Sequence, residues 1–269
     1  MAKAKEKEKL LINGINVDEW IDGPVRDEQE QTHIEDTART YDKRLVAFLD
    51  LLGITNEIRK KINGKEHEII SKMLKIKEIV EREIRDVEIT MLYISDSFIF
   101  VCEPTVLPVF LKTLANIQMR VLVECKTMLR GAVEFGDVII EDDGRQIIGP
   151  AYIDAYIKQE KHAIFPRIIL GNSVMKLIDE MHGGSEPLVV SQDREFSLDY
   201  LDVYMEIEQK SKRDLQTRFR REGIYDYLLN AYMENNAKEN PSVRAKYAWT
   251  INYLKEKGVW PNAAKYNHW

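Results

Sequence analysis

The chain of 269 residues predicts an α+β fold, with a mainly antiparallel sheet that carries its helices largely on one side. Three observations lead to this prediction. Apolar runs of strand length recur between longer amphipathic segments of helical period. Residues 88–94 and 98–101 are separated only by Ser95, Asp96 and Ser97, a spacing that predicts a tight hairpin. Neither glycine-rich phosphate-binding motif is present, so the doubly wound parallel sheet of dinucleotide-binding proteins is not predicted.

Hydrophobic periodicity, together with turn and capping residues, predicts the strands and helices along the chain. Residues 44–49 form an apolar run that predicts the first strand, and 68–85 place their apolar residues on one helical face. The strands predicted after the hairpin are 129–140, 145–148, 167–170, 188–190 and 201–204. The predicted helices are 51–62, 68–85, 104–127, 151–162, about 172–181, 206–235 and 242–257. This order predicts an N-terminal arm over 1–42, a main domain over 43–204 and a C-terminal helical extension over 205–269.

Composition limits the partners and the compartment. A formal net charge of −6 gives no general attraction to nucleic acid or to acidic membranes. Cys102 and Cys125 lie in apolar stretches and are too few for a disulfide scaffold, which favours a reducing cytosol. No apolar run approaches the roughly 20 residues of a membrane span. We therefore expect a soluble cytoplasmic protein that binds neither nucleic acid nor membrane.

Two aspartates interrupt the most apolar stretches of the chain. Asp50 lies within RLVAFLDLLG and Asp96 within MLYISDSFIFV. A buried carboxylate without a partner costs several kcal/mol, so a fold that keeps one supplies backbone donors, a cation or a metal ion. Two such carboxylates suggest a metal pair. The alternative is that Asp50 caps the following helix and Asp96 lies in a hairpin turn, in a structural or interaction protein without catalytic function.

Four segments of the chain resemble a known family. RLVAFLDLLG, YISDSFIF, LRGAVEFG and GPAYIDAYIKQE together resemble the catalytic core of class III nucleotidyl cyclases, and most of all the bacterial pyrimidine cyclases of Pycsar antiphage defence. The resemblance covers about residues 44–170, and the ordered pair of aspartates is its most specific part. It implies a class III cyclase-like fold with a ferredoxin-like βαββαβ core.

The resemblance also implies a reaction and a partner. In this family the carboxylates that correspond to Asp50 and Asp96 bind two divalent ions, and the active site forms between the two chains of a homodimer. Oxygen ligands suit Mg²⁺ or Mn²⁺. Two such ions would activate the ribose 3'-hydroxyl of a nucleoside triphosphate and clamp its triphosphate, which gives a cyclic nucleotide and pyrophosphate.

The helix after Gly149 departs from the family pattern. The family uses an asparagine and an arginine four residues apart there. An ungapped match from Gly149 puts Ile153 and Ile157 at these positions, and a shift of one residue gives Asp154 and Lys158. The transition state would then need positive charge from Lys158 or Arg130, of which Lys158 is preferred. The same departure keeps open a degenerate cyclase fold that acts as a ligand-binding or regulatory module.

The base-recognition positions favour a pyrimidine. Purine cyclases of the family place a polar residue four before the second aspartate and another three before the helix glycine, where this chain has Leu92 and Gln146. Leu92 offers no hydrogen bond, Tyr93 would narrow the pocket, and the Gln146 amide both donates and accepts. We predict UTP as the substrate and cyclic UMP as the product, with CTP and cyclic CMP as the alternative. Tyr93 would instead face the core if strand alternation places it opposite to Asp96.

Overall fold

The computed structural model describes residues 11–12, 15–16, 40–54, 66–141, 144–182, 189–238, 240–262 and 266. Its contacts divide the chain into two compact units, Met1–Arg39 and Thr40–Trp269. The described residues of the first unit form a small antiparallel hairpin, with strands β1 (Leu11–Ile12) and β2 (Ile15–Asn16). The predicted arm over 1–42 therefore lies mostly outside the described residues.

The second unit is built on one mixed sheet. Its described strands are β3 (Asp42–Leu51), β4 (Ile89–Ile94), β5 (Ser97–Cys102), β6 (Leu129–Glu141), β7 (Gln146–Ile148), β8 (Ile168–Leu170), β9 (Val189–Gln192) and β10 (Glu195–Leu198). Their order is β4-β5-β3-β6-β8-β10-β9, with β7 paired to the far end of β6. The β6–β8 pair is parallel, and the other described pairs of this sheet are antiparallel. The mainly antiparallel α+β prediction is confirmed.

The described helices lie between and after these strands. They are α1 (Glu66–Ile84), α2 (Leu107–Cys125), α3 (Pro150–Lys161), α4 (Asn172–His182), α5 (Tyr200–Ile207), α6 (Lys212–Arg221), α7 (Ile224–Ala237) and α8 (Pro241–Glu256). A short 3₁₀ turn, Pro104–Val106, precedes α2. The predicted helix over 51–62 falls largely outside the described residues.

Alternation along β3 divides the interior into two layers. Leu45, Ala47 and Leu49 belong to the large core, which contains residues of every described helix except α3. Val46 and Phe48 point to the opposite face, where they form a small cluster with Ala151 and Ala155 of α3. The helices thus lie largely on one side of the sheet, as predicted, while α3 alone among the described helices covers the other side. The second face is the one that carries the candidate site.

Helix α2 is the main helix of the large core. Together with its 3₁₀ turn, the segment Pro104–Cys125 is long and apolar enough to cross a membrane by length and composition, a property that inspection of the sequence missed. Two thirds of its apolar window, 67%, is buried inside the protein. Burial against the sheet and α1 accounts for its composition, because an all-round apolar helix also forms the centre of a large core.

The C-terminal helices extend the same core. Leu201, Leu215, Leu228 and Leu254, from α5, α6, α7 and α8, are buried in one cluster with the strand residues. The predicted helical extension is thus present as helices, and it shares its apolar interior with the sheet. A division into domains at residues 204 and 205 stays a prediction.

Two predictions for the C-terminal part were wrong. Residues 201–204 are part of helix α5 rather than a strand, because Asp199 caps the helix by accepting a hydrogen bond from the Asp202 amide at 3.4 Å. The single helical stretch predicted over 206–235 is divided. A capping box of Ser211 and Asp214 starts α6, and Gly223, with φ +68°, separates α6 from α7. Polar capping signals decided both boundaries.

Candidate active site

Asp50 and Arg130 form an ion pair at one end of the sheet. They lie directly opposite each other in the register of β3 and β6, so their side chains share the face covered by α3. Arg130 Nε donates to Asp50 Oδ2 at 2.9 Å, and its Nη1 reaches the carbonyl of Ala163 at 3.5 Å. Both side chains are about one fifth exposed, at 18% for Asp50 and 22% for Arg130. The pair therefore lies at the edge of the core, in partial contact with solvent, rather than fully buried inside it.

Asp96 lies beside this pair, in the tight turn between β4 and β5. The register of β3 and β5 puts Asp50 opposite Ser97, and the amide of Leu51 donates to the carbonyl of Asp96 at 3.0 Å. Ser95 takes the left-handed conformation, with φ +57°, that closes the turn. Adjacent strands thus deliver both predicted carboxylates to the same end of the sheet.

The electrostatics of Asp50 reflect this crowding. Desolvation raises the pKa of Asp50 above its usual value of 3.8, and the hydrogen bond and charge of Arg130 oppose that rise. The charge of Asp96 raises the pKa of Asp50 further, and the charge of Lys246 lowers it. Burial and then the Asp96 charge also raise the pKa of the Tyr93 phenol. The site therefore holds two carboxylates whose repulsion a bound cation would relieve.

Helix α3 adds an amide to the pair. Its buried stripe consists of Ala151, Ala155 and Gln159, which recur every four residues. Gln159 is 3% exposed, and its Nε2 donates to Asp50 Oδ2 at 3.5 Å. The same Asp50 oxygen thus faces both a guanidinium and an amide, which orients the carboxylate.

Lys158 joins a second polar cluster on the same face. Its Nζ lies 3.7 Å from Glu134 Oε1, and Glu134 is 9% exposed. The Ser173 hydroxyl donates to Glu134 Oε2 at 2.5 Å and accepts from the Phe135 amide at 2.9 Å. Glu134 lies four residues beyond Arg130 on β6, so the two charged clusters follow one strand on one face. Lys158 is thus held by an acid on the same face as the Asp50 pair, four residues farther along β6.

The residues predicted to recognise the base lie in two environments. Leu92 and Ile147 both pack against the small cluster below α3, and Gln146, which precedes Ile147 on β7, is exposed. Tyr93 points to the other face of the sheet, where it packs on the large core and its ring stacks on Phe98, with centroids 4.5 Å apart. Leu92 and β7 are therefore together, whereas Tyr93 is not on their face.

The outer surface of α3 is apolar. Ile153, Tyr156 and Ile157 are 53%, 43% and 37% exposed, and Asp154 beside them is exposed as well. Ile148 and Ile164, which flank the helix, are 51% and 53% exposed. The two residues that the ungapped match put at the family positions are thus on an exposed apolar face within one chain.

The donor set fits a hard divalent ion such as Mg²⁺ or Mn²⁺. Among the described residues, no group of three or more His, Cys, Asp or Glu side chains forms a metal cage. A cage is not what this ion needs, since magnesium is usually held by one or two carboxylates together with water and substrate phosphates. Asp50 and Asp96 supply two such carboxylates, of which Asp50 already meets a guanidinium.

Sequence reasoning missed three polar residues at this end of the fold. Gln159 had a signal, because it is a polar residue in the buried stripe of α3. Glu134 had a weaker one, as a charged residue within a strand. Lys246 had none, because it lies on α8, far along the chain, and only the fold brings it near Asp50.

Comparisons with known proteins give structural similarity alone. No protein-family model and no curated protein sequence matches the chain. Similar solved structures include a bacterial light-regulated adenylyl cyclase, with 13% identity over 63% of this chain and 98% of that chain and a TM-score of 0.44. An adenylyl cyclase from P. aeruginosa is 14% identical over 58% of this chain and 92% of that chain, with a TM-score of 0.43. The guanylyl cyclase domain of a fusion protein from the aquatic fungus Blastocladiella emersonii is 12% identical over 59% of this chain and 93% of that chain, with a TM-score of 0.45. At such low values we take no residue role from these structures.

Proposed function

We propose that the protein is a pyrimidine nucleotide cyclase, which converts UTP to 3',5'-cyclic UMP and pyrophosphate in the cytoplasm as a second-messenger synthase of bacterial antiphage defence. One observation carries the proposal: Asp50 and Asp96, the most specific part of the sequence resemblance, lie side by side at the same end of the sheet. Incubation with ATP, GTP, CTP and UTP in turn, followed by identification of the products by mass, tests it.

The residues of this site have separate tasks. Asp50 and Asp96 would hold the divalent ions, and Arg130 with Gln159 keeps the Asp50 carboxylate in place. When bound, the ions lower the pKa of the ribose 3'-hydroxyl and neutralise the leaving pyrophosphate. Lys158, aligned by Glu134, supplies positive charge along the same face. The half-buried position of the site limits water around these charges, which strengthens their interaction with the substrate.

We predict that Gln146 selects the base. In Gln146→Ala, the ratio of kcat/KM for UTP over ATP should fall by at least about 5-fold, since a lost hydrogen bond in a site built for it is worth roughly 1 kcal/mol. Tyr93→Phe is the companion variant. Because Tyr93 lies on the opposite face to Leu92, we expect a smaller change from it. Unchanged UTP, CTP and ATP ratios in both variants would mean that the base binds elsewhere, and a preference for CTP would give the cytidylate cyclase alternative.

The exposed apolar face of α3 supports a homodimer. An exposed patch formed by Ile153, Tyr156 and Ile157 is typical of a protein–protein interface. A second copy of the chain is the occupant that the resemblance implies, with each active site formed by both chains.

Ile153→Asp should therefore weaken self-association by about 100-fold, because a charge would be buried at the centre of an apolar contact. Sedimentation across a concentration series measures the change. Ile70→Asp is the matched control, since Ile70 is 57% exposed on α1. Native protein that sediments as a monomer while fully active would contradict the dimeric site.

A second candidate function has one observation in its favour. Arg130 already neutralises Asp50 through an ion pair, and α3 lacks the asparagine and arginine of the family. A nucleotide-binding regulatory module without turnover would retain these features. It predicts saturable binding of a nucleoside triphosphate and no product from any of the four substrates.

A further inference from the structure

Helix α8 brings a lysine to the candidate active site from outside the segment that resembles cyclases. The resemblance ends near residue 170, whereas α8 spans Pro241–Glu256. Lys246 is half-buried in its second turn. Of the described residues whose charges act on Asp50, Lys246 is the one farthest along the chain, so its placement depends on the packing of the C-terminal helices.

Two contacts fix α8 beside the Asp50–Arg130 pair. Thr250 donates to the carbonyl of Lys246 at 3.0 Å within the helix and approaches the sulfur of Met128 at 3.3 Å. Met128 in turn accepts a backbone hydrogen bond from Leu52 at 2.9 Å. These two residues extend the register that pairs Asp50 with Arg130. The helix turn that contains Lys246 and Thr250 is thus held two residues from the pair.

The second contact lies on the other side of Arg130. The Trp249 ring stacks on Phe165, with centroids 5.9 Å apart and an interplanar angle of 7°. Phe165 belongs to the loop in which the Ala163 carbonyl lies 3.5 Å from Arg130 Nη1. Helix α8 therefore touches both the end of the sheet and the loop after α3. Lys246 precedes the two contacting residues, Trp249 and Thr250, by three and four residues, which is about one helical turn.

The charges of Arg130 and Asp50 both act on Lys246, in agreement with its place beside the pair. Desolvation and the charge of Arg130 lower the pKa of Lys246, whereas the charge of Asp50 raises it. The lysine is thus close enough to both members of the pair to interact with their charges. A triphosphate held at Asp50 would bring further negative charge within its reach.

We propose that Lys246 is a triphosphate-binding residue of the active site, which adds a positive charge beside the Asp50–Arg130 pair to the charge that Lys158 supplies from α3. This inference rests on the proposed function and deepens it. A lysine is a suitable group, because it acts as a point charge toward phosphate oxygens. It would also give the C-terminal helices a part in the active site.

The variant that tests this role is Lys246→Met, which keeps the length of the side chain and removes its charge. We expect kcat/KM for UTP to fall by about 100-fold and affinity for inorganic triphosphate, measured by calorimetry with Mg²⁺, to fall at least tenfold. Lys246→Arg should recover most of both. Removal of a desolvated charge should leave the melting temperature unchanged or higher.

Lys255→Met, on the same helix, is the control for the loss of one positive charge and should match the native protein. Equal triphosphate affinity in native protein and Lys246→Met would overturn the proposal. So would a tighter affinity for Mg²⁺ with unchanged triphosphate binding, since Lys246 would then be only a counterion of Asp50. If native protein makes no cyclic nucleotide, the proposed function fails, and the triphosphate measurement still decides the role of Lys246.

Discussion

Asp50→Asn should lower kcat/KM for cyclisation by at least about 1,000-fold, which corresponds to about 4 kcal/mol of transition-state stabilisation. The amide keeps an oxygen that accepts from Arg130 and Gln159 but loses the negative charge that a divalent ion needs. Asp96→Asn should have a similar effect, because the two carboxylates act as one site. Product formation from UTP and Mg²⁺, followed by mass analysis, measures both.

The same Asp50→Asn variant should be at least as stable as the native protein. The folded-state pKa of Asp50 is raised above 3.8, with desolvation as the largest cause, so its ionisation is less favourable in the folded state than in the unfolded chain. The native protein therefore loses stability relative to the variant as the pH rises from 3.8 through the higher folded value. Asp179→Asn, on the exposed side of α4, is the control. Native activity in Asp50→Asn would rule out the two-carboxylate site.

Gly149→Ala should destabilise the protein by at least about 3 kcal/mol. A Cβ atom at Gly149 would lie 2.3 Å from the carbonyl oxygen of Asp137 and 2.8 Å from the Cα of Val138. Both are backbone atoms of β6 and cannot rotate away. The φ of Gly149 is +155°, which also disfavours a side chain. Because Gly149 caps the N-terminus of α3, the change should also displace Lys158 and Gln159.

Gly223→Ala provides the matched control for this effect. Gly223 has φ +68° but open space around the position of a Cβ atom, so its substitution should cost only the conformational strain of about 1–2 kcal/mol. Urea unfolding of the two variants distinguishes the steric clash of a Cβ atom with β6 from the backbone strain of a positive φ. Equal losses of stability would show that β6 and the start of α3 are not in close contact.

The sheet and its aspartates were predictable because local signals agreed with the global fold. The turn around Asp96, the run that ends at Asp50 and the Gly149–Pro150 helix start each have residues whose conformational preferences decide the local structure. For residues 201–204, the local sequence pattern did not point to a single kind of element. Their buried Leu201, Val203 and Tyr204 form a short apolar run that fits a strand or a buried helix equally well.

The partners of the aspartates were beyond sequence reasoning for a different reason. Arg130 could be named as a candidate, but its ion pair with Asp50 depends on the register of two strands that are 80 residues apart in sequence. Lys246 depends on the packing of α8 against Met128 and Phe165. The predicted place of Tyr93 in the base pocket was wrong. Its ring stacks on Phe98 in the large core, the alternative that strand alternation allowed.

The most direct test of the central claim, that the Asp50 and Asp96 site cyclises a pyrimidine nucleotide, is quantitative mass analysis of the products from UTP. Purified native protein with Mg²⁺ or Mn²⁺ should yield 3',5'-cyclic UMP and pyrophosphate in equal amounts, and 3'-deoxy-UTP should yield neither, because it lacks the attacking hydroxyl. Absence of a cyclic product from UTP, CTP, ATP and GTP, or formation of UDP and phosphate instead, would contradict the claim.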